Sequence, residues 1–205
     1  MSRRNHSARP RQPDASEAVL RIIGGQWRSR KVSFPEIEGL RPTPDRVRET
    51  LFNWLQGVTD GARCLDLCAG SGALGLEALS RGAASVTFVD RSPQVARALQ
   101  ANLQLLKAQN AEVITAAALD WLDARPTDES ERFDLVFMDP PFRQGLIAPL
   151  CALLESRNLL AARAMIYIEC ERELTLPPLP SDWQLYREKQ AGQVSYRLYE
   201  RLSEH

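Results

Sequence analysis

From Ala62 onward, short apolar runs alternate with stretches whose apolar positions recur at helical spacing. Arg63 to Leu67, Ser85 to Asp90, Glu112 to Ala116, Phe133 to Met138 and Met165 to Ile168 predict strands, while Ala73 to Ser80, Pro93 to Lys107 and Ile147 to Leu159 predict helices. Ser92 followed by Pro93 is a capping residue ahead of a favoured first helical position. Phe133 to Met138 is too continuously apolar for a strand with a solvated face, so it belongs at the centre of a parallel sheet. Strand and helix in strict alternation imply an α/β fold, a mostly parallel sheet with helices on both faces. The tail departs from this pattern: Gln184 to Gln190 and Val194 to Arg201, joined at Ala191-Gly192-Gln193, predict an antiparallel hairpin at the sheet edge.

The chain before Ala62 has a different texture. Residues 1 to 19 are polar with two prolines, as in a disordered basic tail. Order is expected from Leu20, where Leu20 to Gly25 predicts a short strand closed by a glycine turn. Basic residues then alternate with Trp27, Val32 and Phe34, the pattern of a hairpin with one cationic face. Thr43 and Pro44 predict a helix start, and Val47, Leu51, Trp54, Leu55 and Val58 form its inward stripe, leaving Arg46, Glu49 and Asn53 outside. The expected organisation is therefore a tail over 1–19, a small basic hairpin-and-helix extension over 20–60 and one α/β domain over 61–205.

Composition narrows the function. The 205 residues carry no net charge, yet the first 31 hold eight basic side chains against two acidic ones, so an anion-binding arm precedes an acidic body. The four cysteines, Cys64, Cys68, Cys151 and Cys170, form no C-x-x-C pair and read as reduced thiols of a cytoplasmic protein. The two histidines, His6 and His205, stand at the chain ends, which argues against a histidine triad or a metal site. No run has the length of a membrane span, and no secretory leader is expected.

Two constellations carry candidate chemistry. Asp66 to Gly75 places G-x-G-x-x-G between a strand and its helix, and Asp90 ends the next strand twenty positions after Gly70. Small residues there let a ligand approach the backbone, and an acid at that distance can accept the ribose hydroxyls of an adenosine. Nicotinamide dinucleotides and S-adenosylmethionine both fit this arrangement. Asp66 favours the second, because a carboxylate near the strand mouth repels a pyrophosphate and attracts a sulfonium. Asp66 could alternatively serve the helix dipole. The second constellation is Asp139-Pro140-Pro141-Phe142 at the end of the central strand. Two prolines stiffen the backbone and remove its N–H donors, leaving acceptors that can align an exocyclic amine, and Phe142 offers a face for a flipped base.

With these residues the chain resembles the class I S-adenosylmethionine methyltransferases, and more closely the RsmD family of bacterial small-subunit rRNA guanine N2-methyltransferases. Arg21-Ile22-Ile23-Gly24-Gly25-Gln26-Trp27-Arg28, Arg41-Pro42-Thr43 with Arg46 to Leu55, Asp66 to Gly75 with Glu77 to Ala83, and Asp139 to Phe142 carry the likeness over about residues 20 to 200. The resemblance implies a Rossmann-like fold, S-adenosylmethionine as cofactor and 16S rRNA, within an assembled or assembling small ribosomal subunit, as substrate of a monomeric enzyme. It implies cofactor contacts from Asp66, Ala69, Gly70, Ser71, Gly72, Asp90, Arg91, Ala118, Leu119 and Asp139. Asp139, Pro140, Pro141 and Phe142 would hold the guanine, and Arg21, Arg28, Arg30, Lys31, Arg46 and Arg48 would grip phosphates. The sequence departs from the family where a polar side chain commonly meets the adenine amine: Ala116-Ala117-Ala118 stands there, leaving backbone amides or Asp120. Competing readings are an amino-methyltransferase acting on another nucleobase or a protein amide, an NAD-dependent dehydrogenase, and a non-catalytic RNA-binding module.

Overall fold

The computed structural model describes residues 17–126 and 132–203; most of the basic tail and the polar segment 127–131 fall outside the described residues. The chain runs β1 (Glu17–Arg21), a 3-10 turn (Gly25–Trp27), β2 (Lys31–Pro35), α1 (Asp45–Trp54), β3 (Arg63–Leu67), α2 (Ala73–Ser80), β4 (Ser85–Asp90) and α3 (Pro93–Leu106). It continues through β5 (Ala111–Thr115), α4 (Ala118–Asp123), β6 (Phe133–Met138), α5 (Ile147–Ser156), β7 (Leu160–Glu171), β8 (Trp183–Ala191) and β9 (Val194–Leu202).

Seven strands form one sheet in the order β5-β4-β3-β6-β7-β9-β8. The first five are parallel, and β9 runs antiparallel between β7 and β8. Chain order reverses between β3 and β6, the switch point at which crossover loops leave toward opposite faces of a doubly wound sheet and open a crevice. β6 lies parallel to β3 on one side and β7 on the other, and Leu135 to Met138 are fully buried, as the apolar run required. Two apolar clusters fill the sheet's two faces. One gathers α1, α2, α3 and the N-terminal strands around Cys64, Phe88, Phe137 and Tyr167; the other gathers α4 and α5 around Leu65, Val136 and Ile168.

The hairpin enters the sheet with its second strand innermost. β9 supplies the buried Tyr196, Leu198 and Tyr199, whereas β8 buries only Trp183 and leaves Arg187, Glu188 and Lys189 on the open edge, where charge discourages pairing with another chain. Its loop is tighter than the three residues expected, with Gly192 and Gln193 alone between the strands and Gly192 at φ +60°.

Four local expectations are corrected. β1 begins at Glu17, because Glu17, Ala18 and Val19 pair with Pro35, Phe34 and Ser33 before Leu20 is reached. Thr43 does not cap α1: the helix starts at Asp45 after an uncapped Pro44, and the buried Thr43 instead offers its carbonyl to the Arg48 side chain at 3.1 Å. α5 stops at Ser156, since Leu159 and Leu160 are drawn into the second core and Leu160 opens a much longer β7 than the four apolar residues suggested. The short helix α4 was not anticipated, its six residues being too few for periodicity to register. Ser92 does cap α3, accepting from the Val95 amide at 3.3 Å.

The N-terminal hairpin is a separate two-stranded sheet held on the main domain through side chains. Leu20, Ile22, Trp27, Val32 and Phe34 are buried in the first core. At its centre stands Glu77 of α2, with no solvent exposure. Its carboxylate accepts from the Ile23 amide (2.9 Å), the Gly24 amide (2.8 Å), Arg81 (2.7 Å) and Arg48 (3.4 Å). Ser80, one turn along, accepts from the Trp27 amide at 3.0 Å and donates to the Gly24 carbonyl at 2.5 Å.

Candidate active site at the sheet switch point

The candidate residues line up along one end of the parallel strands. From the β5 edge inward come Ala118 and Leu119 in the first turn of α4, Asp90 ending β4 with Arg91 after it, Cys68 to Gly72 after β3, then Asp139 to Phe142 after β6. Leu67 is paired with Met138, so the glycine loop and the proline corner leave adjacent strands side by side.

The loop after β3 is built from left-handed backbone, with φ of +60° at Cys68, +54° at Gly70 and +75° at Gly72. A methyl group on Gly72 would lie 2.4 Å from Leu99, and one on Gly75 would lie 2.2 Å from the Phe88 ring and 2.9 Å from the Asp66 carboxylate. The third glycine of the pattern is thus a packing requirement of α2 against β4. Loop amides already have partners: Gly70 donates to Asp90 Oδ2 (3.0 Å), Gly72 to the Ala69 carbonyl (2.8 Å) and Gly75 to Asp66 Oδ2 (3.0 Å). Asp90 Oδ1 accepts from the Ser92 amide at 2.9 Å. A dinucleotide needs the amides of the loop and the first helical turn for its pyrophosphate; here carboxylates hold those of Gly70 and Gly75.

Electrostatics point the same way. Asp66, 3% exposed, is pushed up to about 8 by burial, an effect the Gly75 amide opposes and the Asp90 charge reinforces. Burial drives Asp139 well above the usual carboxylate range, with the charges of Glu169 and Asp66 adding to it. Cys68 lies among the same acids; burial, Asp90, Asp139 and Asp66 lift its thiol to about 12, so it is no nucleophile at neutral pH. Acids that burial holds protonated ionise readily beside a cation and not beside an anion, so a sulfonium bearing an ammonium group fits where a pyrophosphate does not.

The raised Asp66 has a measurable consequence. Its folded value of about 8 lies above the ordinary 3.8, so the stability of its neutral form is fully present at low pH and is lost as pH rises toward 8. Asp66→Asn removes that loss. The cofactor-free variant is expected to exceed the parent by about 2 to 4 kcal/mol near pH 7 and to converge with it near pH 4. Thermal denaturation across that range reads the effect, and parallel pH profiles for the two proteins would contradict it.

At the proline corner Pro140 is buried, while Phe142 is 42% exposed, an open ring at the rim. The corner borders a cavity of about 490 Å³ whose walls include Pro140, Pro141, Ile147, Glu169 and Leu174. Asp120, the side chain considered for an adenine contact, is exposed in the first turn of α4.

Of the residues expected to meet phosphate, Arg28, Lys31 and Arg46 are exposed. Arg21 is exposed and pairs with Asp45, and Arg30 donates to the Leu105 carbonyl. Arg48 is a correction. It is 1% exposed and all of its guanidinium is used internally, toward Thr43, Glu77, the Arg21 carbonyl and Asp45 at 2.6 Å. It sits on the inward stripe of α1 next to Val47 and Leu51, where only a fully paired charge can stay. The sequence assigned no role to Glu77, named only within a stretch of family likeness, or to Glu169. The visible signal was an acid inside an apolar helix in the first case, and an acid directly after an apolar strand in the second.

The family model described as conserved hypothetical protein 95 matches residues 20–200. The chain is 51% identical to ribosomal RNA small subunit methyltransferase D of Escherichia coli, over 98% of this chain and 96% of that one. This chain belongs to the RsmD family. A second RsmD relative, ribosomal RNA small subunit methyltransferase D of Haemophilus influenzae, is 47% identical over 92% of this chain and 97% of its own length. Among solved structures, the Escherichia coli protein YhhF superimposes with a TM-score of 0.81 at 51% identity, covering 91% of this chain and all of that one. The RsmD fold seen here is that of an S-adenosylmethionine-dependent methyltransferase, with the mostly parallel sheet and terminal antiparallel hairpin expected from the sequence. Among the described residues no helix is long and apolar enough to cross a membrane.

Proposed function

We propose that this protein transfers a methyl group from S-adenosylmethionine to the exocyclic N2 amine of a guanine in 16S rRNA. The observation that carries this reading is the direct adjacency of the glycine loop and the Asp139-Pro140-Pro141-Phe142 corner on paired strands. The E. coli and H. influenzae relatives, named as small-subunit rRNA methyltransferases, support the same substrate class.

S-adenosylmethionine supplies the electrophile, a methyl group on a positively charged sulfur. Asp66, Ala69, Gly70, Ser71 and Gly72 enclose its methionine end, Asp90 accepts from the ribose, and Arg91, Ala118 and Leu119 border the adenine. Asp139 and the Pro140 carbonyl accept the two hydrogens of the guanine amine, which localises the nitrogen lone pair and aims it. Phe142 stacks on the base, and Pro141 keeps the corner rigid. The extra proton on the methylated nitrogen passes to water. No strong base is required, because alignment in a dry cleft provides most of the acceleration.

Residues 20–60 act as the RNA-contacting extension of a methyltransferase domain over 61–205, with Arg21, Arg28, Arg30, Lys31 and Arg46 facing phosphates. The substrate is an assembled or assembling small subunit, engaged in the cytoplasm by a monomer. Incubating the purified protein with labelled cofactor and unmodified small subunits, then digesting the RNA to nucleosides, is expected to yield N2-methylguanosine. A methyl group on an adenine or cytosine amine, or on a ribosomal protein, would overturn the assignment. Alanine at Arg28, Lys31 and Arg46 together is expected to weaken subunit binding and flatten its salt dependence without changing cofactor affinity.

A further inference from the structure

Met138 of β6 is paired with Ile168 of β7, so the next residue on each strand, Asp139 and Glu169, are neighbours at the mouth of the cleft. Glu169 is 6% exposed, and its Oε2 accepts a hydrogen bond from the Tyr167 hydroxyl at 2.8 Å. Tyr167 is itself fully buried, with its ring 6.5 Å from both Phe137 and Tyr196, so the carboxylate it holds is fixed in place. Among the described residues no Arg or Lys forms an ion pair with Glu169, whose hydrogen bond comes from the Tyr167 hydroxyl alone. Glu169 borders the cavity that Pro140 and Pro141 also line. A buried carboxylate kept without a cation is costly unless something else donates to it. The amine-aligning acceptors described above leave Glu169 without a task.

We propose that Glu169 is the residue that selects guanine, accepting the ring N1–H while Asp139 and Pro140 accept the adjoining amine. This rests on the guanine N2 reading given above. Guanine presents three hydrogens in a row, one on N1 and two on N2. Adenine and cytosine present an amine beside an unprotonated ring nitrogen, whose lone pair faces the carboxylate and leaves it desolvated with no donor. Burial raises the Glu169 carboxyl, which the tyrosine hydroxyl only partly offsets, so an N1–H donor replaces solvation that the cavity removes. The bond also draws electron density toward N2 as the amine attacks. The N1 proton stays on N1 throughout.

The test compares small subunits reconstituted with guanine or 2-aminopurine at the mapped methylation site. 2-Aminopurine keeps the amine and lacks the N1 hydrogen. The parent protein is expected to favour guanine by about 100-fold in kcat/KM. Glu169→Gln, whose amide can turn either its oxygen or its NH₂ toward the ring nitrogen, is expected to lower that ratio to about tenfold or less, mainly through loss on guanine. Equal losses on both substrates would assign Glu169 a merely structural role, and a parent protein that accepts both bases alike would show that N1–H is not read. Failure to form N2-methylguanosine on unmodified subunits would overturn the underlying reading, and it is seen before any variant is made.

Discussion

Asp139→Ala is expected to lower kcat on small subunits by about 1000-fold, roughly 4 kcal/mol of transition-state stabilisation, with cofactor affinity nearly unchanged. The side chain stands at the end of β6, one strand from the glycine loop, where it can orient the attacking amine. Removing it leaves the Pro140 carbonyl as the single acceptor and frees the amine to rotate. Asp139→Asn separates alignment from charge. An amide oxygen still accepts a hydrogen bond, so this variant is expected to retain activity within about tenfold of the parent. Burial and two neighbouring carboxylates hold Asp139 far above its ordinary range, so the isosteric change also relieves a strained acid. The cofactor-free Asn variant is therefore expected to melt no lower than the parent at neutral pH. Single-turnover rates with labelled cofactor, together with calorimetric titration of the cofactor, measure both halves. Full activity in the alanine variant would remove Asp139 from the chemistry.

The second large effect lies outside the cleft. Glu77→Ala is expected to destabilise the fold by about 3 to 5 kcal/mol, because buried Arg48 keeps only the half-exposed Asp45 as a carboxylate partner, while Arg81 and the Ile23 and Gly24 amides lose their acceptor. At about 2 to 4 °C per kcal/mol for a domain of this size, the melting temperature should fall by roughly 6 to 20 °C. The sign of the pair is tested by the combined change Arg48→Met with Glu77→Leu, which removes both charges and keeps apolar volume. It is expected to be more stable than Glu77→Ala alone. Thermal or urea denaturation decides. A Glu77→Ala protein as stable as the parent would mean that the N-terminal hairpin is not held through this contact. The same geometry shows why trimming the first 31 residues would be a poor probe of RNA binding: it removes Leu20, Ile22 and Trp27 from the core along with the arginines.

Both effects trace to acids that burial has made expensive. Asp66, Asp139 and Glu169 gather at the strand mouths, where a cationic cofactor and a donor-rich base edge can use them. Glu77 is also fully buried but is matched by Arg48, Arg81 and two backbone amides, and so serves as the joint between the arm and the helix that follows the glycine loop. Acids buried with cations build the scaffold; acids buried without them mark the site.

The amino-acid sequence alone determined the alternation of strand and helix, because period-two and period-3.6 patterns are local properties of the chain. β3, α2, β4 and β6 fall on the residues expected, and the two constellations identify themselves by spacing and by the proline pair. It could not determine which polar residues would be buried. Arg48 and Arg46 look alike in the sequence, two positions apart on one helix; only the packing of α1 against α2 turns the first inward to Glu77 and the second to solvent. Strand order is also a tertiary matter. That Leu67 lies beside Met138 and Ile168 beyond it depends on crossover connections spanning dozens of residues, and this pairing is what brings Asp66, Asp139 and Glu169 to one rim. Pairing partners and burial are set by contacts distant in sequence, and a linear pattern records neither.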